Sequence, residues 1–349
     1  MLLLRSSYSI GPVDEIDDVL FIKLQTLGLA YYNFLVTISK SLVFQSKRGQ
    51  LCTATSCFVL WPRQMRFQNK VVVVSGGGSG IGAALAQAFD QEGAIVAVSD
   101  LKGADQVAQS LQNPKSRRGY EVDVTNAKQV QDMIQSIMKE HGRIDIYCSN
   151  AGIIHPAPQQ LQPSEEFGVV SRHSDAQWNR ILQVNLQSHV IAARELLPYW
   201  SNRQQSGEKH FLITASAAGL LTQIGDASYG VSKAAAIAFA EHMAIAHGGG
   251  DDQDSNNNIH VHCLCPQAVD TPFGDNIVQS SKANSAMTDG VVSSEFVAEC
   301  CLTTLAETND FFIFPHPRVQ EYCKRKVLEH ERWLKGMRKL KRRLIQSKL

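Results

Sequence analysis

No paired C-x-x-C spacing occurs among the eight cysteines, Cys52, Cys57, Cys148, Cys263, Cys265, Cys300, Cys301 and Cys323, which removes the common thiolate metal sites from consideration. Neither sign of charge is in excess. With 34 basic and 33 acidic residues the formal net charge is +1, so nothing global argues for nucleic acid or an acidic substrate. No apolar run spans a bilayer; the stretch 27–38 is too short. Asp14, Glu15, Asp17 and Asp18 argue against a basic transit peptide. The polar segment 248–258 carries Asp251, Asp252 and Asp254 without the ligand order of a calcium loop, and reads as a solvated loop. No His/Cys/Asp arrangement suggests a metal site, so none is expected, and His155 and His316 read as loop residues. The remaining profile is intracellular and cytoplasmic, with reduced thiols, three of them (Cys148, Cys263, Cys265) in apolar strand-like runs. At 44% apolar residues there is ample material for a core.

Against these absences stands Tyr229-Gly-Val-Ser-Lys233, with Ser216 thirteen positions upstream in Thr214-Ala-Ser216. On a helix, an i,i+4 spacing puts phenol and ammonium on one face. A free tyrosine titrates near ~10, so acid/base work close to neutrality calls for nearby positive charge, and Lys233 is its candidate source. Taken alone, such a pair is as well explained by an ordinary surface helix.

A second constellation lies upstream. The β-branched run Val71-Val-Val-Val-Ser75 leads into Gly76-Gly77-Gly78-Ser79-Gly80-Ile81-Gly82 and then a helical pattern over 83–89. Strand, tight turn and helix in that order bring backbone N–H groups and a helix N-terminus to a pyrophosphate. The next apolar strand, 94–99, ends at Asp100, where a carboxylate can bind ribose hydroxyls and repel a 2′-phosphate. A ligand-free βαβ turn is the plain alternative. Further apolar runs at 144–149, 210–215, 259–264 and 311–314 alternate with helix-like stretches at 127–141, 175–200, 229–246 and 294–305. That alternation predicts an α/β fold, a Rossmann-type doubly wound parallel sheet with ligands at the carboxyl ends of its strands.

Together these motifs resemble the classical short-chain dehydrogenase/reductase family, over roughly residues 67 to 315. Asp123-Val124, Ser149-Asn150-Ala151-Gly152, Val184-Asn185-Leu186 and Pro266-Gln-Ala-Val-Asp-Thr271 match further family motifs in order, with departures at Ser75, Ser149 and Gln267. The resemblance implies a catalytic set of Asn185, Ser216, Tyr229 and Lys233. Tyr229 would exchange the substrate proton, Ser216 bind the substrate oxygen, Lys233 lower the phenol's pKa and hold the nicotinamide ribose, and Asn185 support a relay through water. The implied cofactor contacts run from Ser75, Gly76, Gly78, Ser79, Gly80, Ile81 and Gly82 through Asp100, Leu101, Asp123 and Val124. They continue through Asn150, Ala151 and Gly152 to Tyr229, Lys233, Pro266, Val269 and Thr271. With Asp100 the cofactor is expected to be NAD rather than NADP, the reaction a secondary alcohol–carbonyl interconversion, and the assembly a homodimer or homotetramer. A noncatalytic nucleotide-binding scaffold is the alternative, suggested by the departures at Ser149 and Gln267.

Three regions are expected: an extension over 1–64, poorly ordered or absent if translation begins at Met65; a catalytic domain over 65–317; and a basic helical tail over 318–349. The stretch 156–174 exceeds the family spacing and reads as a surface loop. In the tail, Leu334, Met337, Leu340 and Leu344 recur at helical spacing among lysines and arginines. A helix packed on its own subunit or a neighbour is the simpler reading, and no nucleic-acid partner is expected; contact with an anionic membrane surface through the termini stays open.

Overall fold

Four consecutive valines make a strand that can be buried on both faces, and they form its centre. In the computed structural model, Val71–Ser75 pairs in parallel with Ile95–Asp100 on one side and Ile146–Ser149 on the other. Val71 and Val73 enter the core on one face of the sheet, Val72 and Val74 the core on the other. The structure describes residues 37–45, 51–59, 65–155, 173–201, 207–222, 224, 226–248, 258–273 and 289–346.

In chain order the strands are β1 (Thr37–Gln45), β2 (Leu51–Val59), β3 (Val71–Ser75), β4 (Ile95–Asp100), β5 (Gly119–Glu121) and β6 (Ile146–Ser149). They continue as β7 (Lys209–Thr214), β8 (Ile259–Leu264), β9 (Val269–Asp270), β10 (Val292–Ser293) and β11 (Phe312–Ile313). Seven of them form one parallel sheet in the order β11-β8-β7-β6-β3-β4-β5. The direction of winding reverses between β3 and β6, and that crevice is where a doubly wound sheet holds ligands. Six of the seven strands were anticipated; β5 was not, because Gly-Tyr-Glu offers no apolar run.

The helices are α1 (Gly80–Gln91), α2 (Ala104–Ser110), α3 (Ala127–His141), α4 (Asp175–Leu182), α5 (Ser188–Trp200), α6 (Ala217–Leu221), α7 (Ala227–His247), α8 (Ser294–Thr303), α9 (Arg318–Leu328) and α10 (His330–Gln346). Helix α3 has the expected bounds because both ends are encoded: Asn126 accepts from the N–H groups of Lys128 and Gln129, and Gly142 closes the helix at φ +74°. The single helix expected over 175–200 is instead two, joined by a π-turn at Gln183–Gln187. Such turns arise where one residue too many is fitted to a helix, often beside a functional site. Cys148, Cys263, Cys265 and Cys301 are buried free thiols.

Contacts divide the chain into Met1–Met65 and Arg66–Leu349. In the first unit β1 and β2 form an antiparallel pair, with Thr37 opposite Val59 and Gln45 opposite Leu51. No element was expected there. Among the described residues no helix is long and apolar enough to cross a membrane.

Candidate active site

Asp226 caps α7 by accepting the N–H of Tyr229 at 3.0 Å, which fixes the helix start against the carboxyl end of β7. One turn along, Lys233 Nζ donates to the carbonyl of Thr214 at 2.7 Å and lies 5.9 Å from the centroid of the Tyr229 ring. Ser216 Oγ donates to the Pro266 carbonyl at 3.3 Å and accepts the Ala218 N–H at 3.1 Å, beside the Tyr229 phenol. All three side chains are buried.

Burial dominates their protonation. It pushes the Tyr229 phenol up to about 12 against the downward pull of Ser216, with Asp226 adding to the rise. It brings the Lys233 ammonium down to about 8, partly offset by Cys263 and Cys265. The expectation that Lys233 depresses the tyrosine is therefore not met. The cation is spent on the Thr214 carbonyl and desolvated itself, so loss of water outweighs its attraction for a phenolate.

Asn185 is wholly buried in the π-turn. Its Oδ1 accepts the Ile153 N–H at 2.8 Å, and its Nδ2 donates to the Ile153 carbonyl at 2.9 Å and to Ser232 Oγ at 3.0 Å. Both amide protons are thus committed within the protein, and the residue ties the strand-end loop after β6 to α7.

Gly76 has φ +65°, and a Cβ on it would fall 2.6 Å from Ala151 Cα; at Gly82 a Cβ would fall 2.0 Å from the Gly76 carbonyl. The glycines let the turn fold over β6 and onto the start of α1. Asn150 holds the turn from beneath, its Nδ2 donating to the Gly76 carbonyl at 3.1 Å while its Oδ1 accepts from Thr214 Oγ1 at 3.0 Å. Asp100 closes the far side, accepting from the N–H groups of Gly78 at 3.0 Å and Lys102 at 3.3 Å. Asp123 accepts from the backbone and hydroxyl of Thr125; these bonds and Arg180 hold its carboxyl below the usual range although burial raises it.

A single cavity of about 880 Å³ joins these groups. Gly76, Ser79, Gly80, Ile81, Asp100, Leu101, Asp123 and Val124 line one end. Asn150, Ala151, Gly152, Ser216, Tyr229, Lys233, Pro266, Val269 and Thr271 line the rest. Ser75, Gly78, Gly82 and Asn185 do not reach it: they support its walls, Ser75 by accepting the Asn150 N–H at 3.2 Å. A length of cavity running from a helix N-terminus and a strand-end carboxylate to a Ser-Tyr-Lys cluster fits a dinucleotide with a substrate beside its reactive end.

Sequence reasoning missed the other wall. Tyr322 and Arg325 of α9 and Arg332, Trp333, Met337 and Leu340 of α10 line the same cavity. Helix α9 is anchored by Lys326 Nζ donating to the Leu220 carbonyl and Thr222 Oγ1, and by Arg318 and Tyr322 on Asp289. The apolar stripe among basic residues was the available signal; its direction was not.

The departures from the family motifs at Ser149 and Gln267 each have a partner. Ser149 Oγ lies 2.7 Å from Nδ1 of buried His189, whose imidazole burial and Lys233 hold down at about 3. The Gln267 N–H donates to His316 Nδ1 at 3.2 Å, so a side chain steadies the backbone at the position where the family has glycine.

Comparison with known proteins agrees with this geometry. Residues 70–282 match the short chain dehydrogenase family. Meso-2,3-butanediol dehydrogenase of Serratia marcescens is 33% identical over 210 residues, 59% of this chain and 74% of that enzyme. The 1-deoxy-11-beta-hydroxypentalenate dehydrogenase of Streptomyces exfoliatus is 30% identical over 257 residues, 72% of this chain and 84% of the relative. The fold is shared with a Burkholderia phymatum short chain dehydrogenase/reductase solved with NAD, at TM-score 0.63 and 23% identity over 76% of this chain and 95% of that one. A Brucella melitensis 3-ketoacyl-(acyl-carrier-protein) reductase solved with NADH superposes at TM-score 0.61 and 21% identity, covering 71% and 98%. The chain belongs to the short-chain dehydrogenase family of oxidoreductases.

Proposed function

We propose that this protein is an NAD-dependent dehydrogenase or reductase that interconverts a secondary alcohol and a ketone. The observation that carries the reading is the opening of Ser216, Tyr229 and Lys233 into the same cavity as the glycine turn and Asp100. Relatives named for oxidation of butanediol and of a hydroxypentalenate, and neighbours solved with NAD or NADH, support the same class.

When bound, the nicotinamide supplies hydride exchange, and the protein's part is to orient it and to move one proton at the substrate oxygen. Tyr229, with its phenol at about 12, holds that proton at neutral pH and is placed to give it to a substrate carbonyl oxygen. Ser216 donates a hydrogen bond to the same oxygen. Lys233 would hold the nicotinamide ribose. Asn185 positions the Ile153 loop and α7 relative to each other. The Asp100 carboxylate favours NAD, since a 2′-phosphate would meet a like charge. Met337, Leu340 and Trp333 give the substrate end an apolar wall, with Arg325 and Arg332 beside it. Assembly as a homodimer or homotetramer belongs to the same reading.

The test is a panel of secondary alcohols and ketones, followed by nicotinamide absorbance with NAD and NADP in both directions. Turnover of at least one pair, faster with NAD, is expected. Cofactor binding without turnover of any pair would favour the scaffold reading instead.

A further inference from the structure

Beside the start of α7, outside the cavity lining, two imidazoles converge on one carboxylate. His155 Nδ1 lies 3.3 Å from Asp226 Oδ2, and His173 Nδ1 lies 3.5 Å from Asp226 Oδ1. One donor atom from each of the three residues falls within 4.8 Å of the others. The rings pack against each other at 4.3 Å between centroids, tilted by 36°. The three side chains are 13%, 8% and 10% exposed, a half-sheltered pocket rather than a solvated surface cluster.

We propose that His155, His173 and Asp226 form a binding site for a divalent transition metal of the zinc class.

The spacing suits such an ion. With zinc–nitrogen and zinc–oxygen bonds of about 2.0–2.2 Å, neighbouring ligand atoms in a tetrahedron stand roughly 3.3–3.6 Å apart. The 3.3 Å from His155 Nδ1 to Asp226 Oδ2 falls in that range, whereas the 3.5 Å from His173 Nδ1 is to the other oxygen, Oδ1, so His173 completes the set within the 4.8 Å span of the three donor atoms. The donor set, two imidazoles and one carboxylate, suits zinc and its neighbours rather than magnesium or calcium, which take oxygen ligands. Asp226 is already oriented for the role. Its Oδ1 accepts from Ser228 Oγ at 2.6 Å and from the Tyr229 N–H at 3.0 Å, while Oδ2 faces His155. Hydrogen bonds of this kind on the outer oxygen fix a ligating carboxylate, and Oδ2, which accepts the His155 backbone N–H at 3.4 Å, keeps a second lone pair for the ion. Ser228 Oγ, though 3.2 Å and 3.4 Å from the two histidine nitrogens, is too near Oδ1 to be a separate ligand, so the fourth position falls to solvent.

The expectation of no metal site came from spacing within the sequence, and these three residues come from three separate segments. Two of them flank residues 156–172, so a bound ion would tie both ends of that segment to the cap of the helix carrying Tyr229 and Lys233. The site rests on its own geometry and does not depend on the reaction proposed above.

Cobalt(II) is the probe. The full chain, stripped with a chelator and dialysed against Co²⁺, is expected to bind one ion per chain with visible bands of a tetrahedral nitrogen/oxygen site. Zinc should displace it. His155→Gln and His173→Gln should each weaken binding at least ten-fold while retaining a cooperative thermal transition. X-ray absorption of the wild-type zinc form, which needs no variant, should show two imidazoles and no sulfur. Absence of stoichiometric binding, binding unchanged in both variants, or a sulfur-to-metal charge-transfer band would each overturn the proposal.

Discussion

Asn185 and Ile153 exchange two hydrogen bonds, amide oxygen to backbone N–H at 2.8 Å and amide nitrogen to backbone carbonyl at 2.9 Å. The pair is a splint: it imitates a strand ladder between a helix interior and a loop that has no strand beside it. Because Asn185 is fully buried, Asn185→Ala leaves the Ile153 N–H and carbonyl without a partner, and removes one of the two hydrogen bonds of Ser232 Oγ, which still donates to the Tyr229 carbonyl. The expected loss is about 1–3 kcal/mol of stability in urea unfolding, with a fall in kcat as the loop loses its register. An unchanged urea midpoint would show that the splint bears no weight.

On the proposed reading, Asp100 sets cofactor choice. Since its carboxylate also holds the Gly78 and Lys102 N–H groups, Asp100→Asn is the informative change: it keeps an acceptor for the turn and removes the charge. The ratio of NADP to NAD dissociation constants should narrow by at least ten-fold, about 1.4 kcal/mol. Tighter binding of NADP than NAD by the wild-type protein would reverse the assignment.

Lys233 sets an alkaline limit. Its ammonium is brought down to about 8, so it is charged below that pH and neutral above, whereas Tyr229 at about 12 stays protonated throughout. For ketone reduction, kcat/KM should be level near neutrality and decline about ten-fold per pH unit above 8. A profile flat to pH 10 would show that the charge on Lys233 does not matter.

His210 and His262 make the fold sensitive to acid. The Asp310 carbonyl can only accept, so His262 Nδ1 donates to it at 2.8 Å, and His262 Nε2 then accepts from His210 Nδ1 at 3.1 Å. A second proton on His262 would face that donor. Burial first, then neighbouring histidines, lowers His210 to about 2; burial lowers His262 to about 4 against the pull of Asp310. The folded state therefore resists protons that the unfolded chain accepts near 6.5. The stability is fully present above that pH and is lost as pH falls toward 4, by an amount on the order of several kcal/mol. Unfolding free energy measured from pH 7 to 4.5 should decline less steeply in His262→Gln than in the wild type. Equal slopes would remove the pair from the account.

The parallel sheet and the gathering of Tyr229, Lys233 and the glycine turn at one cavity were legible because each is written locally: Val71–Val74 in one run, Tyr229 and Lys233 in one helical turn, glycines at one strand end. Other features were not, because they are relations between distant segments. The break of 175–200 at a π-turn follows from where Asn185 must reach, and nothing in the sequence of that helix announces it. The use of Trp333, Met337 and Leu340 as a cavity wall depends on how α9 docks through Lys326 and Arg318. The tyrosine pKa was misjudged because charge proximity is visible in a spacing, while desolvation is visible only in a packed site.

The central claim, that Tyr229 exchanges the substrate proton, is tested most directly by single-turnover hydride transfer in Tyr229→Phe. The phenyl ring keeps the packing beside Phe273, whose ring lies 6.1 Å away, and beside Lys233, but has no proton to give. The rate should fall at least a hundred-fold, about 2.7 kcal/mol, with the NAD dissociation constant within a few-fold of wild type. Retention of more than about a tenth of the wild-type rate, under ~1.4 kcal/mol, would contradict the assignment.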